Sequence, residues 1–90
     1  MAYRVMVHPS AGRVLDGLPK DRRRKVLEVL RRLAEDPFTP RPKVDIRKIK
    51  GPPGRRDVYR LRVGDYRVLY DVEKETVWVT DIFRRGRGYQ

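Results

Sequence analysis

The stretch Tyr59-Arg60-Leu61-Arg62-Val63-Gly64-Asp65-Tyr66-Arg67-Val68-Leu69-Tyr70 has the alternating pattern of a β-hairpin. Glycine makes a tight Gly64-Asp65 turn sterically possible, and that turn would place Val63 opposite Tyr66. The other expected cross-strand pairs are Arg62 with Arg67, Leu61 with Val68, Arg60 with Leu69 and Tyr59 with Tyr70. Because side chains alternate along a strand, the pattern predicts one apolar face and one arginine face.

The predicted arginine face carries Arg60, Arg62 and Arg67. Two guanidinium groups directly across a ladder repel each other by roughly 1–3 kcal/mol at about 5.5 Å. A bound phosphate would reverse the sign of that interaction, so the face is predicted to bind an anion. In the alternative interpretation, these arginines extend into solvent or pair with Asp71, Asp81 or carboxylates of a partner.

The composition indicates one basic domain, residues 1–90. Lys and Arg number 23 against 12 Asp and Glu, which gives a formal charge of +11. Such a charge attracts polyanions over a distance set by salt, so nucleic acid or the ribosome is the first expected partner. An acidic protein partner is the alternative, and the two partners do not exclude each other.

The residue types limit the possible chemistry. The chain has no cysteine and a single histidine, His8, so disulfides, zinc clusters and Cys–His catalysis are not expected, and no metal or other cofactor is predicted. No apolar run is long enough for a membrane segment, and the residues after Met1 alternate as in a strand, so a soluble cytoplasmic protein is expected. The absence of asparagine and the single glutamine, Gln90, are typical of hyperthermophile proteins.

The N-terminal part predicts a strand and two helices. Tyr3 to His8 alternate as a strand that Pro9 ends, and Ser10 is expected to cap a short helix that stops at Gly17. Pro19 is expected to start a longer helix that closes at Asp36-Pro37. Its apolar face holds Val26, Leu27, Val29, Leu30, Leu33 and Ala34, and its basic face holds Arg22, Arg23, Arg24, Lys25, Arg31 and Arg32. The basic face is either simply solvated or a second contact to nucleic acid.

The remaining segments flank the hairpin. Residues 37–54 contain five of the seven prolines and indicate a connection, in which Val44 to Ile49 forms a short edge strand or part of a flexible basic arm. Thr76 to Ile82 predicts another strand. With Lys74-Glu75 as the turn, Ile82 is expected beside Arg67, which carries residues 83–90 towards the arginine face.

This order of elements resembles the RelE/ParE superfamily of toxins from bacterial and archaeal toxin–antitoxin pairs, over essentially the whole chain. The motifs that carry the resemblance are Leu18-Pro19, Lys48-Ile49-Lys50-Gly51, Val58-Tyr59-Arg60-Leu61-Arg62, Gly64-Asp65-Tyr66-Arg67-Val68-Leu69-Tyr70 and Arg85-Gly86-Arg87-Gly88-Tyr89. The resemblance implies an α+β fold: a strand, a helical hairpin, then a three- to four-stranded antiparallel sheet packed on the helices.

The RelE branch implies cleavage of messenger RNA in the ribosomal A site without a metal, by attack of a 2′-hydroxyl on the adjacent phosphodiester. Carried over by motif, the catalytic positions are Arg67, either Arg85 or Arg87, and Tyr89. The implied RNA- and phosphate-binding positions are Arg60, Arg62, Lys48 and Lys50. Arginine is a poor general base, so the base stays unassigned: Tyr89 removes the proton or stacks on a nucleobase, or the ribosome supplies the group.

The family leaves further functions open. A ParE-like inhibitor of DNA gyrase shares the fold, and a catalytically degenerate member would only bind RNA or its antitoxin. The resemblance implies a heteromeric complex with a cognate RelB-like antitoxin, alongside messenger RNA and the ribosome as targets.

Overall fold

The computed structural model describes residues 2–49 and 57–85 and confirms the α+β architecture. The elements are β1 (Arg4–Val7), α1 (Pro9–Asp16), α2 (Lys20–Glu35), β2 (Asp45–Ile49), β3 (Val58–Val63), β4 (Tyr66–Glu73) and β5 (Thr76–Arg84). The predicted short edge strand is therefore β2.

The strands form one five-stranded mixed sheet in the order β1-β5-β4-β3-β2. The predicted four-stranded antiparallel part of the sheet consists of β2 to β5, and β1 extends it by pairing with β5 in parallel. The chain can do this because two helices and three strands separate β1 from β5 in sequence, and parallel strands need a long connection between them. The strands nearest the two ends of the chain therefore lie side by side.

The hairpin of β3 and β4 has the predicted register, with Arg62 opposite Arg67 and Val63 opposite Tyr66. Gly64 has φ of +56°, the conformation that the first central residue of a type II′ hairpin turn requires. The turn of the next hairpin lies at Lys74-Glu75, also as predicted, and Lys74 has φ of +56° without the freedom of glycine.

The helices cover one face of the sheet. The core unites residues of both helices with those of four strands: Ala11, Leu15, Val26, Leu30, Leu33, Ile46, Leu61, Val63, Val68, Tyr70, Val77, Val79 and Ile82. Two predictions about the helices are wrong. Ser10 is not the cap of α1, because His8 is the N-cap and Pro9 occupies the first turn, where a missing N–H costs nothing. Leu27 is 38% exposed rather than buried.

A β-bulge in β5 changes the register predicted for the last hairpin. The pairing shifts between Leu69 and Tyr70, so Phe83 rather than Ile82 lies opposite Arg67. The extra residue is on β5, since Leu69 pairs with Asp81 while Tyr70 pairs with Val79. Without the bulge the alternation would turn Asp81 into the core, whereas the observed register buries Ile82 and leaves Asp81 exposed.

The segment after α2 is tied to the sheet and to its own helix. The Tyr70 hydroxyl donates a 2.7 Å hydrogen bond to the carbonyl oxygen of buried Pro37. Arg41 donates hydrogen bonds to the carbonyl oxygens of Arg32, Asp36 and Thr39 at 2.7–3.1 Å. These contacts hold the segment after α2 against the sheet and against the end of the helix.

Candidate anion-binding site

The face of the sheet that the helices leave uncovered, called the open face below, carries the arginines of the hairpin. Directly paired residues project from the same face, and the partners Leu61 and Val68 point into the core. Arg60, Arg62 and Arg67 therefore project from the opposite side, as the sequence predicted.

Arg67 is the centre of this group. Arg62 lies directly across from it on β3, and Arg60 is a diagonal neighbour on the same strand. On the other side Phe83 is opposite Arg67, so Arg85 is the diagonal neighbour beyond the end of β5. Diagonal neighbours in a sheet are about 7–8 Å apart, which is within reach of arginine side chains. We call Arg60, Arg62, Arg67 and Arg85 the arginine cluster.

The electrostatics of the arginine cluster are unfavourable without an anion. Burial, followed by the charges of Arg62, Arg60 and Arg85, lowers the pKa of the Arg67 guanidinium below its usual range. Its Nη1 donates hydrogen bonds to the carbonyl oxygens of Gly64 and Tyr66, both at 3.1 Å, which fix the side chain near the turn. The strand pairing thus holds like charges together, and a bound phosphate would relieve their repulsion.

Backbone hydrogen bonding places Arg85 in this cluster. Its N–H donates a 2.6 Å hydrogen bond to the carbonyl oxygen of Asp65, which continues the pairing of β4 and β5 past Arg84. Of the four predicted catalytic positions, Arg67 and Arg85 are thus brought together. Arg87 and Tyr89 lie outside the described residues, as does Lys50 of the predicted phosphate-binding set.

Lys48 does not lie with the arginine cluster. It pairs with Tyr59 across β2 and β3, and so projects from the side of the sheet that carries the helices. Its Nζ forms a 3.0 Å ion pair with Asp57, whose hydrogen bond and charge raise the pKa of Lys48. The motif before the hairpin gave the position of this lysine but not its face, because the register of β2 was unknown.

Carboxylates approach the cluster without neutralising it. Asp45 is directly opposite Arg62, and Asp81 is a diagonal neighbour of Arg67. Within residues 2–49 and 57–85, no carboxylate forms an ion pair with an arginine of the cluster. The sequence analysis did not identify Asp45 as a neighbour of the arginine cluster, because its position opposite Arg62 follows only from the pairing of β2 with β3.

No helix among the described residues is long and apolar enough to cross a membrane. Nor do those residues contain a group of three or more His, Cys, Asp or Glu side chains that could hold a metal ion.

The chain matches a family model described as the ParE toxin of the type II toxin–antitoxin system parDE, over residues 5–89. Over 92 aligned positions it is 32% identical to a protein named as toxin RelE1 of Methanocaldococcus jannaschii, covering 100% of this chain and 98% of that protein.

Solved structures share the fold. A chain of the archaeal RelE–RelB complex from Pyrococcus horikoshii OT3 superposes with a TM-score of 0.81 at 39% identity, covering 98% of this chain and 100% of that one. The isolated E. coli RelE toxin superposes with a TM-score of 0.76 at 22% identity, covering 98% of this chain and 89% of that one. The latter similarity concerns the fold alone.

Proposed function

Since the chain belongs to the RelE/ParE superfamily of toxins from type II toxin–antitoxin systems, we propose that it is a ribosome-dependent endoribonuclease that cleaves messenger RNA in the A site. The observation that carries this proposal is the arginine cluster, with Arg67 surrounded by three further guanidinium groups on the open face.

The proposed reaction is transesterification within the RNA. The 2′-oxygen gives up its proton and bonds to the adjacent phosphorus, and the bond from phosphorus to the 5′-oxygen breaks. The 5′-oxygen takes up a proton from water, which leaves a cyclic phosphate and a free 5′-hydroxyl. RNA allows this route and DNA does not, because DNA lacks the 2′-hydroxyl. No metal takes part in the proposed reaction.

The arginine cluster stabilises the charge that builds up on the phosphorane oxygens. Preorganised donors of this kind supply the largest single contribution in many enzymes. Arg67 contacts the non-bridging oxygens, Arg85 or Arg87 lies on the side of the leaving 5′-oxygen, and Arg60 and Arg62 bind the RNA backbone. Arginine is a poor general base, so Tyr89 or a group of the ribosome accepts the 2′-hydroxyl proton.

A translation extract tests this function. Primer extension on a translated message should show cuts at fixed codon positions with the wild-type protein. Arg67→Ala should reduce cutting by about 10²–10³-fold, the effect of removing one such donor. Arg84→Ala is the matched control, because Arg84 pairs with Tyr66 and projects from the other face. Equal cutting by the Arg67→Ala and wild-type proteins would remove the proposed site.

The second candidate function is inhibition of DNA gyrase, which the ParE description of the matching family model favours. A supercoiling assay separates the two functions. Inhibited gyrase with intact messages would replace the ribonuclease proposal, and a protein without either effect would be a binding module only.

A RelB-like antitoxin is the proposed partner, because the similar P. horikoshii chain comes from a RelE–RelB complex. Its acidic or amphipathic segments would neutralise either the open face or the outer face of α2. On that helix, Lys20, Arg23, Arg24 and Arg31 surround the exposed Leu27.

A further inference from the structure

A second group of side chains lies on the open face, away from the arginine cluster. Met6 pairs with Trp78 across β1 and β5, and the rings of His8 and Trp78 lie 5.5 Å apart at an angle of 44°. Met6 is 40% exposed, His8 is exposed and Trp78 is half-buried. We call Met6, His8 and Trp78 the Trp78 platform.

We propose that the Trp78 platform stacks on one base of a single-stranded RNA whose backbone occupies the arginine cluster. This inference rests on the RNA substrate of the proposed function and adds a base-binding subsite to it. Aromatic side chains beside a basic groove are the common device for holding single-stranded nucleic acid, because every base offers a flat face.

The dimensions fit a base. His8 and Trp78, together with Asp71 and Glu73, line a cavity of about 180 Å³. A cavity of about 150 Å³ is enough to hold a benzene ring. The cavity therefore has room for a nucleobase ring, with the open side left for the sugar.

The distance to the arginine cluster fits a continuous strand of RNA. Asp71 pairs with Trp78 and lies on the same face of β4 as Arg67, four positions along the strand. At about 3.3 Å per residue this separation is about 13 Å. A few nucleotides span it, so the base on the platform belongs to the same RNA as the phosphate at Arg67.

The carboxylates of the cavity suit a base better than a phosphate. Oxygens such as those of Asp71 and Glu73 accept hydrogen bonds from the amino groups of bases, whereas a carboxylate offers a phosphate no donor. A carboxylate has about four acceptor positions, so it can accept such a bond alongside other contacts. Adenine, cytosine and guanine carry an exocyclic amino group that uracil lacks, so the subsite should favour these three bases over uracil.

Trp78 is the only tryptophan of the chain, so its fluorescence reports on the platform directly. The full-length protein is titrated, without ribosomes, with short 2′-O-methyl RNA oligonucleotides that cannot be cleaved. Quenching of Trp78 fluorescence is expected, stronger for oligonucleotides with an amino-bearing base. An abasic site moved along the oligonucleotide should abolish quenching at one position only. Quenching that is indifferent to every abasic position, or absent while the oligonucleotide binds, would overturn the inference.

Variants test the same contact with labelled RNA. His8→Ala should weaken binding while His8→Phe restores it, and the fold tolerates both changes because the His8 side chain makes no capping hydrogen bond. Trp78→Leu should weaken binding about 5- to 150-fold, the effect of losing one stacked base. Unchanged affinity in His8→Ala and Trp78→Leu would refute base stacking, as would fluorescence that responds to a protein partner and not to RNA.

The two proposals can fail separately. A protein that cuts messages but shows no base-dependent quenching lacks the subsite and keeps the proposed activity. One that shows position-specific quenching without cutting messages keeps the subsite and loses the proposed activity.

Discussion

Replacing Arg67 with glutamine should make the free energy of unfolding less sensitive to salt. Arg62 lies directly across from Arg67, and at about 5.5 Å, for an effective dielectric constant between about 80 and 20, their repulsion is roughly 1–3 kcal/mol. The Debye length shrinks from about 30 Å at 0.01 M salt to about 3 Å at 1 M, which screens most of this repulsion. Salt should therefore stabilise the wild type by about 0.5–2 kcal/mol more than Arg67→Gln.

The comparison between salt concentrations isolates this repulsion from the other effects of the substitution. Arg67→Gln also loses the hydrogen bonds to the carbonyl oxygens of Gly64 and Tyr66, but at both salt concentrations. The assay is unfolding in urea, which is uncharged, followed by Trp78 fluorescence. Arg84→Gln is the control for the loss of one positive charge on the other face. Equal salt responses of Arg67→Gln and the wild type, or an equal reduction in Arg84→Gln, would refute the reasoning.

Four other substitutions test the fold. Tyr70→Phe should lower the free energy of unfolding by about 1–3 kcal/mol, because the carbonyl oxygen of buried Pro37 loses its hydrogen-bond partner. Burial raises the pKa of Tyr70, so wild-type stability should fall above about pH 10, by up to about 1.4 kcal/mol per pH unit, because the unfolded chain ionises first. Urea unfolding should show a flatter decline in Tyr70→Phe, and parallel declines would contradict this assignment. Thermal unfolding should show opposite signs for two turn substitutions: Gly64→Ala destabilises by about 1 kcal/mol, whereas Lys74→Gly stabilises by up to about 1 kcal/mol, since both positions have φ of +56°. Arg41→Met should lower the free energy of unfolding by about 2 kcal/mol and speed amide hydrogen exchange at the end of α2. Unchanged exchange there would show that the hydrogen bonds of Arg41 contribute little to stability.

The hairpin of β3 and β4 could be predicted in full because two local signals agree on it. The alternation of apolar residues with arginines sets the faces, and glycine at the turn sets the register. The convergence of Arg60, Arg62 and Arg67 follows from these signals alone. Positions that depend on pairing between distant segments of the chain were harder to predict from the sequence.

The bulge in β5 shows what was missed. A strictly alternating strand that buries Val77 and Val79 also buries Asp81. The predicted register, with Ile82 beside Arg67, would therefore have placed the Asp81 carboxylate in the core. Burying an unpaired carboxylate is far less favourable than inserting one residue, so the sequence did hold a signal for the bulge. The face of Lys48 held no such signal, because the register of an edge strand depends on its neighbour.

The parallel contact between β1 and β5 also affects when the molecule can fold. The first strand leaves the ribosome before both helices and the other strands, but its partner β5 follows all of them, so the sheet cannot close before β5 has been made. Contacts between such distant segments slow folding, because the intervening chain must be ordered first. A toxin built this way completes its sheet only after β5 has left the ribosome.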